Sequence, residues 1–235
     1  MINTIRLFGA LCATVAAMAF APSAFAQATT YTLNSATYST VVNGPATPCD
    51  IAPCATFTSA MRLTGSFVTS EPLPPDSPTT NIAPILVSYS FSDGVTTYSS
   101  SDPLVRLDTF RTATSGGAVS IFRIEMQRWN QNPHMAGPDS AATRFASIRV
   151  QNTYGEANYG LKCNNVGVSN SGVSDYCDSQ NDSSDATSAY QETVSNTISV
   201  AAAAIPTLSE WAMILLGLTM AGGSALYIQR RRHEA

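Results

Sequence analysis

The chain has 235 residues, with 12 lysines and arginines against 16 aspartates and glutamates, a formal charge of −4. Only 12% of residues are charged while 44% are hydrophobic, so solubility rests on Ser, Thr and Asn. This mildly acidic, thinly charged surface argues against nucleic acid and other polyanions as partners. Aromatic residues such as Tyr31, Phe57, Phe67, Tyr89, Phe91, Phe110 and Phe122 are more than a disordered chain carries.

Residues 1–26 read as a secretory signal peptide. Arg6 makes the n-region positive, residues 7–20 are apolar, and Ala24 and Ala26 supply the small-x-small pattern for cleavage before Gln27. Cys12 is a poor lipoprotein cysteine, because Leu11 precedes it where such sites want a small residue. Sec machinery and signal peptidase are therefore expected partners. Residues 27–200 are enough for one domain with its own core. Residues 27–204 carry eight basic against fourteen acidic side chains, with Lys162 the only lysine.

Once Cys12 is removed, Cys49, Cys54, Cys163 and Cys177 remain. An even number in an exported chain indicates two disulfides. The simplest connectivity is local, Cys49 with Cys54 and Cys163 with Cys177, and two other pairings are open. Zinc would want tighter spacing than that between Cys163 and Cys177. Residues 164–176 are too polar and Gly-rich to order themselves, so a bridge there would restrict the unfolded loop by about 3 kcal/mol.

The middle of the chain alternates with strand spacing. Met61, Leu63, Gly65 and Phe67 fall on one face, with Arg62, Thr64, Ser66 and Val68 on the other. The proline-rich residues 71–78 read as a loop across an edge. Ile85, Val87, Tyr89 and Phe91 alternate again, Asp93 and Gly94 predict a tight hairpin, and a strand follows at 104–112. Ser115, Gly116 and Gly117 turn into a long strand, 119–129. There Phe122, Ile124 and Met126 face a core, and Arg123, Glu125 and Gln127 face water. Residues 130–140 read as loop, 144–151 as a strand with Ala146, Ile148 and Val150 inward, and 193–200 as a last strand. Six to nine short strands without a convincing internal helix predict an all-β fold, an antiparallel β-sandwich of jelly-roll-like arrangement. An open barrel is the competitor.

Few residues suggest chemistry. His134 is the only histidine outside the C-terminal tip and has no nucleophile motif beside it, so it reads as a surface-loop residue. Asp102, Asp108, Glu125 and Glu156 could supply a glycosidase pair, yet any fourteen acids would yield such pairs. Asp178, Asp182 and Asp185 offer oxygen ligands to calcium, but without the spacing of a known calcium loop, so 178–185 reads first as a solvated polar loop. Trp129 with Asn130 and Asn132 is the most sugar-like cluster, an aromatic face beside amides. Its alternative is a half-buried Trp closing a sandwich end. No cofactor and no catalytic residue are expected.

The tail is the most informative stretch. Residues 211–228 carry no charge, at the short end of what crosses a bilayer core of about 30 Å. Thr207 and Glu210 fit a capping box, which starts a transmembrane helix at 208–228. Gly217, Gly222 and Gly223 weaken that helix locally. Arg230, Arg231 and Arg232 form a stop-transfer cluster that stays cytoplasmic. Residues 201–204 are a linker.

Ile205, Pro206, Thr207, Leu208 and Trp211, then an apolar helix and an arginine cluster, resemble the IPTL-CTERM protein-sorting domain, a relative of the PEP-CTERM signals. Ala212 stands where that family usually has Gly. The resemblance covers 205–235 and implies that an exosortase-type membrane enzyme of a Gram-negative bacterium recognises the tail and cuts near the tetrapeptide. The chain would be the substrate. Its expected route is export, an inner-membrane-anchored precursor with the domain in the periplasm, then the cell surface or medium. The expected role is non-catalytic contact with a surface or matrix. The alternative is a glycan-binding module or hydrolase acting on exopolysaccharide.

Overall fold

The computed structural model describes residues 28–44, 49–52, 54–201 and 214–222. The predicted cleavage residues Ala24, Ala26 and Gln27, the motif residues Ile205, Pro206, Thr207, Leu208 and Trp211, and Arg230 to Arg232 lie outside them. The chain divides into two compact units, Met1–Ala201 and Ala202–Ala235.

The first unit is an antiparallel β-sandwich. One sheet has five strands in the order β12-β1-β3-β5-β6: β1 Thr29–Asn34, β3 Thr64–Thr69, β5 Leu86–Ser92, β6 Thr97–Ser99 and β12 Thr197–Val200. The other has seven in the order β2-β11-β10-β9-β8-β7-β4. These are β2 Thr40–Val42, β4 Ser77–Asn81, β7 Val105–Ser115, β8 Ala118–Trp129, β9 Arg144–Gln151, β10 Tyr154–Val168 and β11 Ser174–Glu192. The first five strands switch between sheets in turn, whereas β7 to β11 form a plain meander, which departs from the jelly-roll-like expectation.

Period-two alternation explains the core. Phe67 of β3, Phe91 of β5, and Phe122, Ile124 and Met126 of β8 are all at most 1% exposed. Phe110 of β7 ties the sheets together, its ring 4.7 Å from Phe67 and 6.1 Å from Phe91, both edge-on. Each such side chain contributes on the order of 2 kcal/mol by leaving water. The opposite face of the five-stranded sheet is uncharged. One rung runs Ser199, Thr32, Ser66, Ser90 and Ser99 across all five strands, the hydroxyl-based solubility expected from composition.

Several expectations need correction. Residues 71–78 are not loop throughout, because Ser77 and Pro78 begin the edge strand β4. Pro78 is tolerated there beside a register shift, where no ladder donor is needed. Val87 is 60% exposed, since a bulge pairs Val68 with Ser88 but Thr69 with Leu86 and turns Val87 outward. The hairpin after β5 is a four-residue turn, Ser92 pairing with Thr97. The last strand starts at Thr197, not 193. Residues 164–176 and 178–185 belong to the longest hairpin of the fold, β10 with β11.

The β10–β11 hairpin also covers part of the seven-stranded sheet. Gly160 takes a φ of +76°, open to glycine at little cost. Around it the register slips from Tyr159↔Thr187 to Leu161↔Asp182. The distal half, clamped by a Cys163–Cys177 disulfide, folds over the outer face of β7, β8 and β9. Ser169 Oγ donates to the Leu107 carbonyl at 2.8 Å, and the Asn170 N–H donates to Asp108 at 2.8 Å. Glu125 and Gln127, expected to face water, are therefore only 7% and 3% exposed.

In the second unit, residues 214–222 are helical, with exposed side chains. Among the described residues no helix is long and apolar enough to cross a membrane. The predicted span, 208–228, reaches beyond the described residues on both sides.

Candidate functional site

The folded-back hairpin creates a groove of about 210 Å³ on the outer face of the seven-stranded sheet. Strand register lays its floor in rows. Glu125, Arg149 and Glu156 face one another across β8, β9 and β10, and the next row is Gln127, Ser147 and Asn158. Tyr176 and Gln180 of β11 and Asn170 of the hairpin tip form the other wall.

The floor charges are paired. Arg149 Nε donates to Glu125 Oε1, and Arg123 donates to the same oxygen at 2.8 Å. The Arg149 guanidinium also lies 3.8 Å from Glu156. Tyr154 and Asn158 donate to Glu156 at 3.0 and 2.8 Å. Burial pushes the Glu125 carboxyl up, but hydrogen bonding from Arg123 and the charges of Arg149 and Arg123 outweigh it and hold the group below its usual range. Burial, then the charges of Asp108 and Glu125, raises the Tyr176 phenol, which stays protonated. Among the described residues the side chains of Tyr176, Ser147 and Gln180 make no hydrogen bond to the chain.

Of the four acids considered in the sequence, the structure gathers Asp108, Glu125 and Glu156 here. Asp102 is elsewhere, paired with Arg128 at 2.7 Å. Arg149 fills the gap between Glu125 and Glu156 that a hydrolytic water would need. The sequence reading missed Arg123, Arg149, Asn158 and Tyr176. Arg123 and Arg149 had only an outward strand position as a signal and Asn158 and Tyr176 had none, because cross-strand partners are invisible without the register.

The other candidates fare differently. Trp129 is 0% exposed. It stacks on His134 with ring centroids 4.4 Å apart, packs on Phe145 at 5.5 Å, and donates Nε1–H to the Asp175 carbonyl at 2.9 Å. The sugar platform considered at Trp129, Asn130 and Asn132 is not formed; as in the alternative reading, the ring packs inward, in a small second core with Phe145, Leu161, Cys163 and Cys177. His134, read as a plain surface-loop residue, is one wall of that core. Burial, then the charge of Arg106, lowers its pKa.

The calcium candidates are scattered. Asp178 and Asp182 are exposed along β11, about 13 Å apart at strand rise. Asp185 is committed: it accepts from Arg144 at 2.7 Å and from the Asp50 and Ile51 N–H groups at 3.1 and 3.2 Å. Among the described residues no group of three or more His, Cys, Asp or Glu is placed to hold a metal. Both disulfides take the local connectivity, Cys49–Cys54 and Cys163–Cys177.

A disulfide-stapled, wholly antiparallel sandwich with a polar groove fits the class of exported β-domains. The tail supplies the more particular statement: residues 203–233 match the IPTL-CTERM motif, a protein-sorting signal. That match leaves the sandwich without a family, and no curated protein and no solved structure matches the chain.

Proposed function

We propose that this chain is an exported envelope or extracellular protein of a Gram-negative bacterium, cut by an exosortase-type membrane enzyme near residues 205–208. Its sandwich then works by non-catalytic contact with a surface or matrix. Residues 1–26 are its signal peptide, 208–228 its temporary membrane span, and Arg230 to Arg232 its cytoplasmic stop.

One observation carries the sorting reading. Among the described residues the last main-chain bond of the sandwich is Ala201 N–H to the Thr30 carbonyl at 2.8 Å, and the sorting motif begins at residue 203. A cut inside the motif leaves every strand in place, so the fold and the signal are separable. The non-catalytic reading is supported by the groove, where Glu125 is held ionised by two arginines and is unsuited to act as a general acid.

The test is the intact mass of the protein recovered from membrane and medium of its host, with and without Pro206→Ala. A species ending near Ile205, lost in the variant, is expected. A single membrane species that keeps Arg230 to Arg232 overturns the sorting reading.

A further inference from the structure

The groove under Tyr176 combines concavity with an unusual chemical balance. Three carboxylates, Asp108, Glu125 and Glu156, face two guanidiniums, Arg123 and Arg149. Each carboxylate already accepts hydrogen bonds from the chain: Asp108 from Asn170, Glu125 from the two arginines, Glu156 from Tyr154 and Asn158. An anion would meet three carboxylates, and a cation would have to displace these donors and approach two arginines. An apolar ligand would strip water from polar groups without replacing it.

What the site still offers is three neutral groups that both donate and accept, and spare N–H groups on two arginines whose charge is already paired. The Tyr176 and Ser147 hydroxyls and the Gln180 amide each donate and accept. Arg123 and Arg149, with side chains 50% and 48% exposed, keep N–H groups to spare. A ligand whose every edge carries both donor and acceptor suits this lining, which is the chemistry of a polyol ring. The 210 Å³ volume lies below the roughly 300 Å³ at which drug-sized pockets begin, which limits the enclosed part of a ligand to about one ring.

We propose that this groove binds a single uncharged sugar ring, at the end or on a branch of a neutral glycan, with Tyr176, Ser147, Gln180, Arg123 and Arg149 as its contacts. The site rests on the reading that the domain acts by binding outside the cell, and it names the bound class. The Cys163–Cys177 bridge is part of the device. Tyr176 directly precedes Cys177, and Gln127 grips the Cys177 main chain through both amide atoms. The disulfide thus holds the phenol over the floor.

The test is calorimetric titration of the purified full chain in detergent micelles. The probes are neutral trisaccharides of glucose, mannose, galactose and N-acetylglucosamine, with trigalacturonate as the anionic control. At least one neutral trisaccharide is expected to bind. Tyr176→Phe and Gln180→Ala should each weaken it about tenfold, the worth of one hydrogen bond, and Ser90→Ala on the far sheet should leave it unchanged. The proposal falls if no neutral trisaccharide binds or if trigalacturonate binds in preference. It falls equally if Tyr176→Phe and Gln180→Ala bind as the wild type does, or if Ser90→Ala weakens binding as much. Tail processing is read separately by mass, so failure here and failure of the sorting reading are told apart.

Discussion

Gln127 treats Cys177 as a neighbouring strand would. Its Nε2 donates to the Cys177 carbonyl at 3.0 Å, and its Oε1 accepts the Cys177 N–H at 2.9 Å. Together with the Trp129 Nε1–H bond to the Asp175 carbonyl, this amide sews the hairpin to the outer face of β8. Gln127→Ala leaves a buried N–H and carbonyl unpaired, and is expected to cost about 2–4 kcal/mol. Denaturant unfolding measures the loss, and hydrogen exchange should quicken first at residues 163–177.

The Cys163–Cys177 bridge closes a loop of fourteen residues' separation. Replacing both cysteines by serine is expected to cost about 3 kcal/mol in the chain-entropy account. The smaller Cys49–Cys54 loop should cost less when treated alike. Thermal unfolding of the two double variants decides; an equal or reversed order would show that loop length does not govern the difference.

Asp93 is wholly buried in the turn between β5 and β6. Its carboxylate accepts from the Val95 and Thr96 N–H groups at 2.7 and 2.5 Å and from the Tyr98 hydroxyl at 3.1 Å. Burial nevertheless raises its pKa. The folded state then binds this proton more readily than the unfolded one, so ionisation costs stability as pH rises from about 4 through the raised value. Asp93→Asn should therefore gain stability relative to wild type between pH 3 and pH 7. Parallel unfolding curves at the two pH values, with no relative gain, would contradict this. Asp93→Ala, which abandons three donors, should cost about 2–3 kcal/mol at pH 3 and less at pH 7, where the wild type carries the cost of ionisation.

Arg144 is 2% exposed and forks onto Asp139 through two bonds of 3.0 Å while reaching Asp185 at 2.7 Å. Asp185 in turn holds the main chain of the Cys49–Cys54 loop. Arg144→Ala leaves Asp185 with only its two main-chain donors and Asp139 without its guanidinium, and is expected to cost about 3 kcal/mol, the low end for a broken buried pair because Asp139 is 32% exposed. Hydrogen bonding from Arg144 lowers the Asp185 pKa, so the pairing is present above about pH 4 and is lost as pH falls through the lowered value. The acid limb of the wild-type stability curve should flatten in Arg144→Ala, read by urea midpoints from pH 7 to pH 2.

Much of the sandwich was legible because period-two alternation needs only neighbours. The inward set Ala146, Ile148 and Val150, and the run Phe122, Ile124, Met126, read as they fold. The hairpin of β10 and β11 was not legible. Its residues, rich in Asn, Ser and Asp, have little strand preference of their own. They are ordered by pairing across a long separation, by the bulge at Gly160, and by Gln127 and Asp108 receiving the tip. Glu125 was visible as an acid, but its partnership with Arg149 and Glu156 depends on register.

The sequence by itself determined the two features that act through local chain chemistry: the sorting motif at residues 203–233 and the alternating strands of the core. A sorting signal is read as a linear peptide and a strand face is set by every second residue, so neither waits for the fold. Only the tertiary structure decided that Trp129 is a buried anchor, that Asp185 serves Arg144, and that Tyr176 stands over a charge-balanced groove. The first and last of those outcomes require the distal part of the β10–β11 hairpin to fold across β7 to β9, and that crossing is held by contacts between residues some fifty to sixty positions apart.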